Sequence, residues 1–280
     1  MRILLVLSVA LAFLTTCRTA RVAADTYDAY PVYHGPDLGL TFHQGQARLR
    51  VWAPTADKLQ PKLYAEGTGG TPVAEYAMQK SVDGTWLYEL PAQPPGRFYV
   101  VQATIKGQVM AEVPDPYVHA VGLNGQRGAL LDPATVSPAG WPDDRRPELA
   151  QPTDIVLGEL HLRDVSMHPQ SGIRHKGKYL GLAEAGTRGP EGVSTGLDHL
   201  RELGLTHVHL LPINDFASID ESQLSQNRYN WGYDPLHYSV PEGSYATDPA
   251  DPASRIREMK QLVQALHRRG LRLVLDVVYN

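Results

Sequence analysis

Seven consecutive residues hold the densest candidate chemistry in the chain: Tyr229-Asn230-Trp231-Gly232-Tyr233-Asp234-Pro235. Three aromatic rings beside a carboxylate suit a sugar, because a pyranose offers an apolar face for stacking and hydroxyls that need polar partners. The same residues could form an aromatic cluster that only pins a surface loop, and their types weigh the two readings equally. They lie in a long polar stretch between two apolar segments, residues 206–213 and 271–278. Unstructured connections longer than about 12–15 residues are as a rule functional or disordered, and aromatic residues are depleted in disorder. His207 and His209 pose a second chemistry: two apart in an apolar run, they share one face of a strand and could ligate a metal. No third ligand accompanies them, so a structural role is the better reading.

The elements around these residues follow from hydrophobic spacing. Residues 155–162 read as a strand with apolar residues on both faces, and residues 206–211 as a second. Between them, a Gly- and His-rich loop over 167–193 precedes a short helix at 195–203, with Ser194 as N-cap and Gly204 as stop. After the aromatic stretch comes the clearest helix: Asp251 caps it, Pro252 occupies its first turn, and Ile256, Met259, Leu262, Val263 and Leu266 form one stripe. Gly270 ends it, and residues 271–278 are a third strand. Strands alternating with helices imply a parallel sheet. Two long loops on the strands' C-terminal side fit a (β/α)8 barrel, where sites are built from those loops. An open doubly wound sheet is the alternative, weakened because no Gly-rich phosphate loop follows a strand.

Residues 38–131 read differently. Alternation over 47–52, strands at 62–64 and 85–90, and a hairpin from 98–105 through Lys106-Gly107 into 109–113 describe a β-sandwich. Trp52, Trp86 and Tyr88 are expected in its core rather than on a binding platform. Residues 141–153, rich in Pro and charge, read as a connector.

Two domains fit a length of 280 residues, and a net charge of −4 with no long basic run excludes nucleic acid as a partner. Met1-Arg2 followed by an apolar stretch at 3–14, too short to span a bilayer comfortably, reads as a secretory signal. The chain's single cysteine, Cys17, follows Leu14-Thr15-Thr16, which resembles a lipoprotein cleavage box although Thr16 departs from the usual small residue. Cleavage after Val22-Ala23-Ala24 is the competing reading. The expectation is export, as a periplasmic or outer-membrane lipoprotein lipidated on Cys17 or alternatively as a secreted protein. Membrane contact is then through that anchor alone, and no internal disulfide exists.

The heptapeptide resembles the signature of the type I pullulanases, starch-debranching members of glycoside hydrolase family 13. Asp276-Val277-Val278-Tyr279-Asn280 resembles the first shared region of that family. Residues 48–56 together with Asp115-Pro116-Tyr117 resemble family 48 carbohydrate-binding modules. The resemblance implies a leader over 1–24, a β-sandwich over 25–140, a linker over 141–153, and about three β/α units of a (β/α)8 TIM barrel over 154–280. It implies retaining hydrolysis of α-1,6-glucosidic branches in pullulan, amylopectin or limit dextrins by the full-length protein. An isoamylase or α-amylase type of activity is one alternative, and a glucan-binding lipoprotein without catalysis is another. The expected partner is an α-glucan.

By the same resemblance Tyr233 stacks on the sugar at the cleavage subsite, Asp234 holds neighbouring polar groups, and Trp231 lines the wall. Asp276 organises the site. Asn280 orders the adjoining loop and in amylase relatives ligates calcium, which makes Ca2+ the only cofactor candidate. A retaining glycosidase needs two close carboxyl groups. In this family they follow the fourth strand, so no catalytic residue is assigned within the chain and residues 1–280 alone are expected to hydrolyse nothing. For the leader, labelled fatty acid is expected on the wild type and absent from Cys17→Ala; label on neither, with a mature chain beginning at Asp25, would show a soluble secreted protein.

Overall fold

The computed structural model describes residues 27–279; the leader with Cys17, and Asn280, lie outside the described residues. The first half is built from β1 (Gly39–His43), β2 (Gln46–Trp52), β3 (Lys58–Tyr64), β4 (Ala74–Glu75), β5 (Gln79–Lys80), β6 (Thr85–Glu89), β7 (Phe98–Ile105), β8 (Gln108–Val113) and β9 (Gly128–Ala129). They form two antiparallel sheets, β1-β2-β6-β5 and β4-β3-β7-β8, with β9 joining β7. Alternation explains the packing. Along β2, Ala47, Leu49 and Val51 are buried while Arg48, Arg50 and Trp52 face outward. Leu49, Leu59, Leu63, Trp86, Tyr99 and Val101 meet in one core between the sheets. Trp86 is the buried ring of the three aromatics in question, its Nε1 donating to the Ala53 carbonyl at 2.9 Å. Trp52 and Tyr88 lie half-buried instead, Trp52 against the Pro31 carbonyl and Tyr88 stacked on Tyr76 at 4.7 Å.

The second half carries β10 (Leu157–Leu160), β11 (His207–Leu210), β12 (Asn214–Phe216), β13 (Pro235–Pro241) and β14 (Arg272–Leu275). Its helices are α1 (Asp164–Met167), α2 (Tyr179–Ala183), α3 (Gly196–Glu202) and α4 (Pro252–Arg268). Strands β10, β11 and β14 pair in parallel, Leu157 opposite His207 and His207 opposite Arg272. Helix α3 precedes β11 and α4 precedes β14, and Leu182, Leu197, Leu200, Leu262 and Leu266 cover Val208 and Leu210. The Asp251 side chain accepts the Ala253 N–H at 3.1 Å, the expected cap of α4. Ser194 does not cap α3. The N-cap position belongs to Thr195, whose hydroxyl is spent on the Ser171 carbonyl, while Ser194 bonds Glu202.

The long stretch between β11 and α4 is no irregular loop. Strands β12 and β13 pair antiparallel within it, and a 3-10 turn spans Glu221–Gln226. Prolines at both ends of β13 hide the strand from a propensity reading. The stretch 141–153 likewise has partners on α4. Lys260 Nζ lies 5.4 Å from the Trp141 ring centre, and His267 Nδ1 lies 2.6 Å from Asp144 Oδ2. Ile256 and Ala253 of α4 pack with Phe98, Val100, Ala120 and Val136, so the two halves share a small apolar core.

One buried charge ties this region together. Arg255 on α4 is fully buried; its Nη1 donates to Asp215 Oδ1 at 2.8 Å and its Nη2 to Glu221 at 3.0 Å. Glu242, also fully buried, accepts the N–H groups of Phe216 and Ser244. Burial pushes the Asp215 carboxyl up to about 7 although Arg255 pulls it down. The folded protein therefore holds this proton more tightly than the unfolded chain, and stability falls as pH rises from near the ordinary value of 3.8 to about 7. Asp215→Asn should shrink the loss between about pH 5 and pH 7 by up to ~2 kcal/mol, read from urea denaturation at both pH values. An unchanged slope would show that Asp215 is not protonated in the fold.

Candidate functional site

The site lies where the parallel strands end. His161, Leu211 and Asp276 each directly follow a strand, and the Asp276 N–H donates to the Leu210 carbonyl at 3.0 Å. Into this end of the sheet comes the heptapeptide. Tyr233 Oη donates to Asp276 Oδ2 at 2.5 Å, joining residues 43 apart in sequence. That bond, with partial burial and the Asp276 charge, pushes the phenol up to about 12. The ring is therefore a neutral, fixed donor across the usual pH range.

Asp234 is equally committed. Its Oδ1 accepts from Asn230 Nδ2 at 2.7 Å and its Oδ2 from the Ser218 hydroxyl. Asn230 Oδ1 accepts the Gly232 N–H at 2.9 Å, which closes a tight side-chain turn around Trp231. Trp231 itself stays 60% exposed. Tyr229, Tyr238 and Tyr279 are exposed too, and Tyr238 lies 5.3 Å from Tyr279. The sequence brings Tyr233, Asp234, Trp231 and Asp276 together as one rim of aromatic faces and fixed carboxylates. Asn280 lies outside the described residues.

The histidine pair goes elsewhere. His207 is buried against the Thr206 hydroxyl, and burial lowers its affinity for a proton. His209 pairs with Glu159 at 3.5 Å, and no third ligand joins them among the described residues. The one group of three metal-ligating side chains among the described residues is Asp215, Glu221 and Glu242. It does not fit calcium, which takes six to eight oxygens, because the Arg255 guanidinium already occupies two of the three carboxylates.

The residues that hold the rim in place are less visible in sequence. His161 is buried, its ring 4.9 Å from Tyr229 and edge-on to Tyr245 at 6.0 Å. Arg163 reaches over the Tyr229 ring at 5.7 Å and bonds Asn227 at 2.7 Å. The available signal is position alone: both stand just past the end of an apolar strand.

No protein-family model matches the chain. The pullulanase of Bacillus subtilis (strain 168) is 40% identical over 248 residues, covering 89% of this chain and 33% of that protein. The chain is a relative of the pullulanases. The crystal structure of Paenibacillus barengoltzii pullulanase in complex with maltohexaose and alpha-cyclodextrin is 53% identical, with a TM-score of 0.86 over 90% of this chain and 39% of that one. Pullulanase 1, chloroplastic, of Arabidopsis thaliana is 32% identical over 89% of the chain and 29% of that protein. The chain thus spans about a third of the length of the curated pullulanases it matches. At about nine tenths of the chain, the shared fold takes in both the β-rich half and the parallel sheet.

Within this rim Gly232 has no substitute. Its φ is +93°, and an added Cβ would stand 2.5 Å from the Pro212 carbonyl oxygen. Gly204 has a similar φ of +76° but open space around it. Gly232→Ala should therefore cost several kcal/mol in denaturation experiments, against about 1 kcal/mol for Gly204→Ala, and should also change Trp231 fluorescence. Equal costs would mean that the close approach to Pro212 does not constrain the loop.

Proposed function

We propose that these residues belong to an enzyme that hydrolyses α-1,6-glucosidic branch linkages in α-glucans, with the Tyr229–Asp234 rim forming part of its substrate-binding wall. The observation that carries the reading is the Tyr233–Asp276 hydrogen bond at the C-terminal end of a parallel sheet. It presents a ring fixed in orientation and two carboxylates already hydrogen-bonded by side-chain donors, an arrangement of aromatic face and polar acceptors that suits a polyhydroxylated ligand. The pullulanase relationship supports it, since a solved relative holds maltohexaose and alpha-cyclodextrin.

On this reading the parallel sheet is the start of a (β/α)8 barrel and the preceding sandwich is a module of the carbohydrate-binding type. Leu157 and Leu275, on its two outer strands, are 50% and 43% exposed and would be covered by further β/α units. We assign no described carboxylate as nucleophile or general acid. Asp276 serves Tyr233, Asp234 is held by Asn230 and Ser218, Asp215 and Glu221 hold Arg255, and Glu242 accepts the Phe216 and Ser244 N–H groups. The catalytic pair of the retaining mechanism is then supplied by other parts of the whole protein. Export with lipidation at Cys17 belongs to the same proposal; among the described residues no helix is long and apolar enough to cross a membrane.

Tyr233 supplies the test. In the whole protein Tyr233→Ala should lower kcat/KM on pullulan by roughly tenfold to a hundredfold, with kcat falling as well as affinity, because the ring contacts the sugar as its geometry changes. Wild-type activity from a natively folded variant would remove the rim from the substrate site.

A further inference from the structure

We infer that His161 is the positioning residue through which the first parallel strand sets the orientation of the Tyr233 ring. His161 directly follows β10 and is 7% exposed. The Asp164 N–H points at its Nδ1 at 3.4 Å, so that nitrogen accepts and carries no hydrogen. Its Nε2 stands 2.8 Å from the Asn230 carbonyl, a group that only accepts, so the hydrogen is on Nε2. Tyr245 Oη, 3.2 Å from the same nitrogen, and the Tyr229 ring against its face hold the imidazole in one orientation.

Asn230 passes this on. Its carbonyl is fixed by His161, while its side chain holds the Gly232 N–H and the Asp234 carboxylate, the two residues flanking Tyr233. The Gly232 peptide on one side of Tyr233 and the Asp234 side chain on the other are thereby referred back to β10, and the phenol meets Asp276, which is itself bonded to β11. The charged groups around the His161 imidazole are Asp164 at 3.8 Å from Nδ1 and Arg163 above Tyr229, and those acting on the Tyr233 phenol are Asp276 and Glu159. Neither Asp164 nor Arg163 takes over the Nε2 contact.

The inference rests on the glucan reading for what the ring does, so the test has one arm that needs no glucan. In the chain labelled with 13C at tyrosine Cζ, Tyr233 should titrate near 12 in the wild type. In His161→Leu it should fall by a unit or more towards the ordinary value of 10.0. His161→Gln, whose amide can still donate to the Asn230 carbonyl, should restore the wild-type value. With maltotriose as probe, His161→Leu should bind about tenfold more weakly and His161→Gln within threefold, at circular dichroism spectra matching the wild type. An unchanged Tyr233 titration in folded His161→Leu, or Leu and Gln variants alike, overturns the inference. Should the Leu variant fail to fold, 15N spectra of the wild-type imidazole decide: an Nε2–H tautomer coupled to the Asn230 carbonyl supports it, and an Nδ1–H tautomer overturns it. Absence of maltotriose binding to the wild type counts against the glucan reading and leaves the titration arm intact.

Discussion

A guanidinium buried without access to water is the constraint on which the rim depends. Arg255 reaches from α4 into the base of the β12–β13 region, where Asp215, Glu221 and the carbonyls of Pro241 and Pro249 accept from it. Such a charge gains little net stability over an apolar replacement, but breaking one partner costs about 3–5 kcal/mol. The arrangement is therefore all or nothing: the stretch between β11 and α4 adopts this path or leaves a charge uncompensated. Ile213, Phe216 and Tyr245 anchor that stretch in the core beneath, while Tyr229, Trp231 and Tyr238 stay exposed and add little to the choice of path.

The same cluster bears on the sandwich. Glu221 accepts the Asn124 N–H at 2.6 Å, and the Glu221 N–H returns a bond to the Asn124 side chain. His237 Nε2 lies 2.8 Å from the Gly125 carbonyl. A turn of the β-rich half thus closes over the charged group that organises the aromatic stretch, and the apolar contacts of Ile256 continue that seam along α4. The sandwich acts here as a wall of the second half rather than as a bead on a string.

Local signals in the sequence were sufficient wherever local physics decides structure. The alternation of β2, the Asp251 cap with Pro252, the stripe of α4 and the Lys106-Gly107 hairpin turn are each settled within a few residues. The rim was visible because aromatic residues in a polar stretch demand a reason. What stayed hidden is long-range. Nothing near Arg255 announces that Asp215 and Glu221 will meet it, and a lone His161 after a strand looks like any other histidine. Ser194 read as a cap because its type fits, while its hydroxyl is drawn off by Glu202 eight residues later.

The Tyr233–Asp276 bond also has a consequence in time. Its partners are 43 residues apart, so at about 5–20 residues per second the acceptor is made roughly 2–9 s after the donor. Through that interval the heptapeptide exists on the ribosome without the strand that will anchor its last ring. The contacts already synthesised by then, to His161 and Ser218, are the ones available to keep three aromatic side chains from finding other partners. The order of the residues along the chain thus places the supports of the rim ahead of the rim, and its final lock last.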